Sequence, residues 1–165
     1  MTVSEDDLLS AEDERLEELF RVSMPGDIPD GPMEGTAIIG AGTALTRPIA
    51  ALIRLGVWRG KVFDRDAGYL SNRLSALDVL AVLATVAPGP SLLDGEECIV
   101  IDYSRTSLVV GGVRDEIRQV GPDLYLGVTW LFGTKVCWFS LRAPQADGGP
   151  GEEQRKKTRG RSRST

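Results

Sequence analysis

The run Cys98-Ile99-Val100-Ile101-Asp102-Tyr103-Ser104 sets a carboxylate beside a phenol within an apolar segment. Further on, Val113, Asp115 and Ile117 share one side of a strand-like run, so Asp115 stands between two apolar neighbours. Tyr125 follows in a third such run. A carboxylate held among apolar groups resists ionisation and can act as an acid or a base. A phenol beside it can donate a hydrogen bond to a carbonyl oxygen. Asp102, Asp115, Tyr103 and Tyr125 are therefore the candidate catalytic residues. Plainer readings stand beside this one. Either aspartate can pair with Arg105, Arg114 or Arg118, and the tyrosines suit the rim of a barrel, where one end is apolar and the other wet.

The chain has no histidine, which excludes Ser-His-Asp and Cys-His nucleophile systems and most zinc and non-haem iron sites. No metal and no cofactor is expected. Acid-base chemistry must come from Asp, Glu, Tyr, Lys or Arg. The two cysteines, Cys98 and Cys137, read as buried thiols in strands rather than a disulfide framework. No run of apolar residues approaches the ~20 needed for a membrane helix. No basic-then-apolar N-terminal segment is seen, and a cytoplasmic location is expected.

Charge divides the 165 residues into three parts. Residues 1–30 carry ten acids and two bases, residues 31–146 eleven of each, and residues 147–165 three acids and six bases. Ser10 to Val22 has Leu16, Leu19 and Phe20 at helical spacing, with Ser10 as the expected N-cap. This acidic amphipathic helix could close over a pocket as a lid or simply cover a core. Met24 to Met33 is rich in Pro and Gly and is expected to be a linker outside helix and sheet. The basic tail is expected to be disordered. The central domain has no basic excess, so specific nucleic-acid recognition is not expected.

The central block alternates in the manner of strands. Glu34 to Ala41, Val57 to Phe63, Gly68 to Leu74, Val79 to Val86 (which suits a helix equally), and four runs from Cys98 onward are strand candidates, with a short helix over Thr46–Gly56 after the first. Turn signals at Gly121-Pro122 and Gly133-Thr134 favour an antiparallel meander. The predicted fold is mainly β, a closed antiparallel barrel of about eight strands able to enclose a small ligand. Arg114, Glu116 and Arg118 share a face that reads as solvated. Six of the ten aromatics fall from Tyr103 onward, so that half is the expected pocket wall. Trp58, Trp130, Trp138, Phe132 and Phe139 are the candidate ligand contacts.

Gly56-Val57-Trp58-Arg59-Gly60, followed by Lys61-Val62-Phe63, fits a Gly-X-Trp-X-Gly signature. With the later strands it resembles the GXWXG-type bacterial proteins of unknown function. It is also similar to the Gly-X-Trp of lipocalins, in which the tryptophan closes the barrel bottom. The resemblance implies a lipocalin-like barrel with an apolar interior, and in plan it is similar to the lipocalin-like cyclases of bacterial natural-product pathways. Two functions are carried forward: a cofactor-independent cyclase or isomerase acting on an apolar, polyketide-like substrate, and a carrier of a lipophilic molecule. A convergent polar pair inside the barrel favours the first, and a wholly apolar interior the second. Monomer and dimer both remain open.

Overall fold

Along Glu97–Asp102, odd and even residues part company. Ile99 and Ile101 join one apolar cluster, and Cys98 and Val100 join another. The same split runs through the other strands, because successive side chains point to opposite sides of a sheet. One cluster collects Met33, Phe63, Leu70, Ala84, Ile101, Ile117 and Phe139 from all around the sheet and lines its inside. The other lies outside, beneath the N-terminal helices.

The computed structural model describes residues 3–38, 58–74, 83–105 and 111–144, without the side chains of 58–59 and 72–74. Among these residues the chain forms helices α1 (Glu5–Leu9) and α2 (Asp13–Val22). Eight strands follow: β1 (Gly31–Ile38), β2 (Trp58–Asp64), β3 (Tyr69–Leu74), β4 (Leu83–Pro90), β5 (Glu97–Asp102), β6 (Val113–Gly121), β7 (Leu124–Leu131) and β8 (Thr134–Arg142). Each strand pairs antiparallel with the next, and β8 pairs with β1 to close the barrel. This is the predicted lipocalin-like architecture. No described helix is long and apolar enough to cross a membrane. The short helix expected over Thr46–Gly56 and the basic tail lie outside the described residues.

The N-terminal segment differs in detail from expectation. It folds as two helices. Ser4 caps α1 in a reciprocal box: it accepts from the Asp7 amide, and its own amide donates to the Asp7 carboxylate at 2.9 Å. Ser10, the expected N-cap of the longer helix, instead ends α1. Leu8, Leu16 and Phe20 are buried against Leu126, Val128, Trp130 and Trp138 on the outer face of β7 and β8. Each such side chain contributes about 1.5–3 kcal/mol by leaving water. The helices thus cover the barrel's flank. Because β6, β7 and β8 are covered on both faces, they carry long runs of buried residues rather than a simple alternation.

The Pro/Gly-rich segment was expected to stay out of the sheet, yet Gly31, Pro32 and Met33 begin β1. Pro32 pairs with Val62, and the β8 pairing starts only at Glu34, so the missing amide falls on a bare edge. Pro88 and Pro90 sit likewise in β4 beyond its β3 pairing. Upstream of β1, Ile28 packs against the inner cluster and the Asp27 carbonyl accepts from the Tyr125 hydroxyl at 2.7 Å. The linker therefore plugs one end of the barrel. Gly60, the last residue of the Gly-X-Trp-X-Gly signature, lies at a bulge with φ +129°, and a Cβ there would sit 1.9 Å from the Met33 carbonyl oxygen. Its role is to let β1 and β2 approach.

Candidate active site

Asp115 lies on β6 in lateral register with Ile101 on β5 and Thr129 on β7. Thr129 pairs in turn with Cys137 on β8. This row crosses the inner wall and places one carboxylate at its centre. Lys61 comes from β2 on the far side of the lumen. Its Nζ donates to Asp115 Oδ2 at 2.8 Å and to the Tyr103 hydroxyl oxygen at 2.6 Å. Tyr103, just after β5, donates to Asp115 Oδ2 at 3.2 Å, and Thr129 Oγ1 donates to Oδ1 at 2.7 Å. Lys61, Tyr103 and Asp115 are each at most 5% exposed. Phe139 lies beneath the ammonium, 5.7 Å from its ring centre, and the Tyr103 ring is 5.3 Å away.

Burial alone would push the Lys61 amine toward neutrality. The Asp115 charge, the Tyr103 oxygen and the hydrogen bonds to both outweigh it and hold the amine above its ordinary range. Lys61 is therefore an ammonium at neutral pH, a donor rather than a nucleophile. Burial pushes the Cys137 thiol up to about 11, so it too stays protonated. The group is a buried set of hydrogen-bond donors and acceptors among apolar side chains. Among the described residues no three or more carboxylate or thiol side chains cluster to hold a metal ion.

Of the four residues singled out from the sequence for catalysis, two converge. Asp115 and Tyr103 meet in the lumen. Asp102 points outward, half-buried, and its Oδ1 accepts from the Ser104 amide at 2.8 Å, which shapes the chain after β5. Tyr125 is buried at the plugged end, with its hydroxyl tied to Asp27, and burial followed by the Asp27 charge raises its pKa.

The aromatic candidates scatter. Phe139 lines the lumen. Trp130 and Trp138 belong to the outer cluster, and Trp138 Nε1 donates to Asp13 Oδ1 at 2.7 Å. Phe132 is 85% exposed in the β7–β8 turn. The side chain of Trp58 lies outside the described residues. The face expected to be solvated is buried in part, which corrects that reading. Glu116 and Arg118 are at most 1% exposed. Glu116 accepts from Ser91 Oγ and the Leu92 amide, and Arg118 pairs with Asp94 through two bonds of 2.7 and 2.9 Å.

Lys61 and Thr129 were missed. Lys61 shares strand parity with Phe63, which points into the core. That parity was the available signal.

No protein-family model matches the chain, and no curated protein does. The crystal structure of a protein from Thermomonospora curvata is similar, with a TM-score of 0.62 over 82% of this chain and 89% of that one, at 19% identity. At that identity the likeness speaks for the fold alone.

Proposed function

We propose that the barrel is a cofactor-independent cyclase or isomerase that encloses an apolar, polyketide-like intermediate of natural-product biosynthesis. One observation carries this reading: an apolar lumen holds Tyr103, Asp115 and Lys61 in mutual hydrogen-bond contact. Confinement would bring reacting atoms of a flexible substrate together. A donor from this group would polarise a carbonyl in a site that excludes water. Two free buried thiols fit a reducing, cytoplasmic setting. The second reading, a carrier of a lipophilic molecule, draws on the same apolar lining.

The test is native mass spectrometry after exposing the protein to a lipophilic extract of its source cells, followed by denaturing release. The catalytic reading expects a molecule that leaves with unchanged mass and altered chromatographic retention. Release of the same compound with unchanged retention supports the carrier. If nothing binds, both readings fall.

A further inference from the structure

We infer that the lumen accepts a neutral carbonyl compound, with Tyr103 as the donor to its oxygen and Lys61 as the residue that positions and strengthens that donor. This rests on the ligand-enclosing reading above and specifies what that ligand presents. The first argument is charge. Among the described residues, the ionised side chains buried in the lumen are Lys61 and Asp115, one of each sign, 2.8 Å apart. A carboxylate ligand would bring an unbalanced charge into this interior, where the cation is already engaged. A ketone or ester brings none.

The second argument is the direction of the hydrogen bonds. An ammonium only donates, so at 2.6 Å the phenol oxygen of Tyr103 must accept from Lys61. The phenol's own proton is then turned to Asp115 Oδ2 at 3.2 Å, the longest bond in the group. Asp115 keeps Lys61 at 2.8 Å and Thr129 at 2.7 Å if that proton turns away. A carbonyl oxygen can therefore take the Tyr103 proton while the carboxylate retains two donors. A hydroxyl whose oxygen accepts from a cation is polarised and donates more strongly. Lys61 thus acts through Tyr103.

The test uses acetophenone labelled with carbon-13 at its carbonyl, and benzoate as an anion of similar shape. Binding is followed by calorimetry and the carbonyl stretch by infrared difference spectroscopy. The expected result is that acetophenone binds at least tenfold more tightly than benzoate. Its bound stretch lies below that in hydrocarbon solvent. Tyr103→Phe abolishes the shift while keeping binding. The charge-neutral double variant Lys61→Met/Asp115→Asn retains Tyr103 but gives a smaller shift. Should that variant not fold, Thr129→Val serves instead. It turns the Asp115 charge more fully onto Lys61 and Tyr103, and a reduced shift is again expected. Bound acetophenone with an unshifted stretch, or a shift indifferent to Tyr103→Phe, overturns the inference and leaves the proposed function standing. Preference for benzoate overturns it too. Binding of neither probe overturns the inference and weakens the ligand-enclosing reading with it.

Discussion

Lys61 and Asp115 stand on opposite sides of the barrel, four strands apart in either direction, and their side chains meet across the lumen at 2.8 Å. Breaking such a buried pair leaves one charge without a partner, which costs about 3–5 kcal/mol. Lys61→Met and Asp115→Leu should each destabilise by that order in urea unfolding. The double variant should lose less than the sum, giving a coupling energy from the cycle. A fully additive cycle would mean that the contact contributes nothing. The Lys61 amine titrates above its ordinary value in the folded state, so its contribution is complete below about pH 10 and fades as pH rises through the folded value. The stability gap between the parent and Lys61→Met should therefore be constant near neutral pH and shrink in strong alkali, as read by urea unfolding.

Arg118 joins three elements on the outer face. It pairs with Asp94 after β4, donates to the Phe20 carbonyl of α2 at 2.9 Å, and lies 4.6 Å from the Phe20 ring centre. The Phe20 carbonyl lies in the last turn of α2 and also accepts from the Ser23 amide at 3.3 Å. Arg118→Met should cost about 3 kcal/mol by thermal unfolding, since Asp94 loses its two-point partner. Arg118→Lys should recover only part, because an ammonium cannot form the two-point bond to Asp94. Equal stability of Arg118→Lys and the parent would refute the forked geometry.

The helices should loosen from the barrel in acid. Burial raises the Asp13 carboxyl, but hydrogen bonds from Lys135 and Trp138 and the Lys135 charge outweigh it, and its pKa falls below the usual value. A depressed pKa contributes stability above the ordinary carboxylate range, lost as pH falls through the folded value. Asp13→Asn should reduce stability at neutral pH by about 1 kcal/mol, a modest figure because the side chain is half exposed. The loss should shrink toward pH 3, as read from tryptophan emission. A constant difference across that range would exclude this linkage.

Both thiols should resist modification until the protein unfolds. Burial raises Cys98 to about 12, with Glu116 adding to the effect, and raises Cys137 to about 11. Neither holds much thiolate near neutral pH, and both are buried. Ellman's reagent should react slowly with native protein and with two thiols per chain in denaturant. Rapid native reaction at either position would show that it opens to solvent.

Phe132 has φ of +48° in the two-residue turn between β7 and β8, followed by Gly133 at +79°. Such hairpin turns favour Asn-Gly. Phe132→Asn should raise stability by about 0.5–1 kcal/mol, since a bulky residue is strained there. The ring packs over Gly112, which tempers the gain. A fall in denaturation midpoint would show that this packing outweighs the strain.

Much of the architecture was legible because it rests on local rules. Alternation in β5, β6, β7 and β8, with turn residues at Gly121-Pro122 and Gly133, announced a meander. Helical spacing of Leu16 and Phe20 announced the face of α2. The boundaries were less legible, since Pro32, Pro88 and Pro90 look like breakers until the bare edges beside them are known. Asp115 and Tyr103 were found as apolar-flanked polar residues, and Asp102 and Tyr125 were selected by the same pattern. Nothing local separates the two pairs.

The sequence by itself determined an antiparallel barrel of about eight strands, an amphipathic N-terminal segment, and a chain without histidine. The tertiary structure decided which side of each strand is the lumen. Alternation gives two faces but does not name them, and in β6, β7 and β8 both faces are buried. Ring closure brought Lys61 across to Asp115 and Tyr103, residues 54 and 42 positions away. The segment after β4 covered Glu116, that segment and α2 covered Arg118, and strand parity set Trp130 and Trp138 on the same outer face, away from the lumen. Each of these depends on contacts between distant segments, which strand periodicity does not encode.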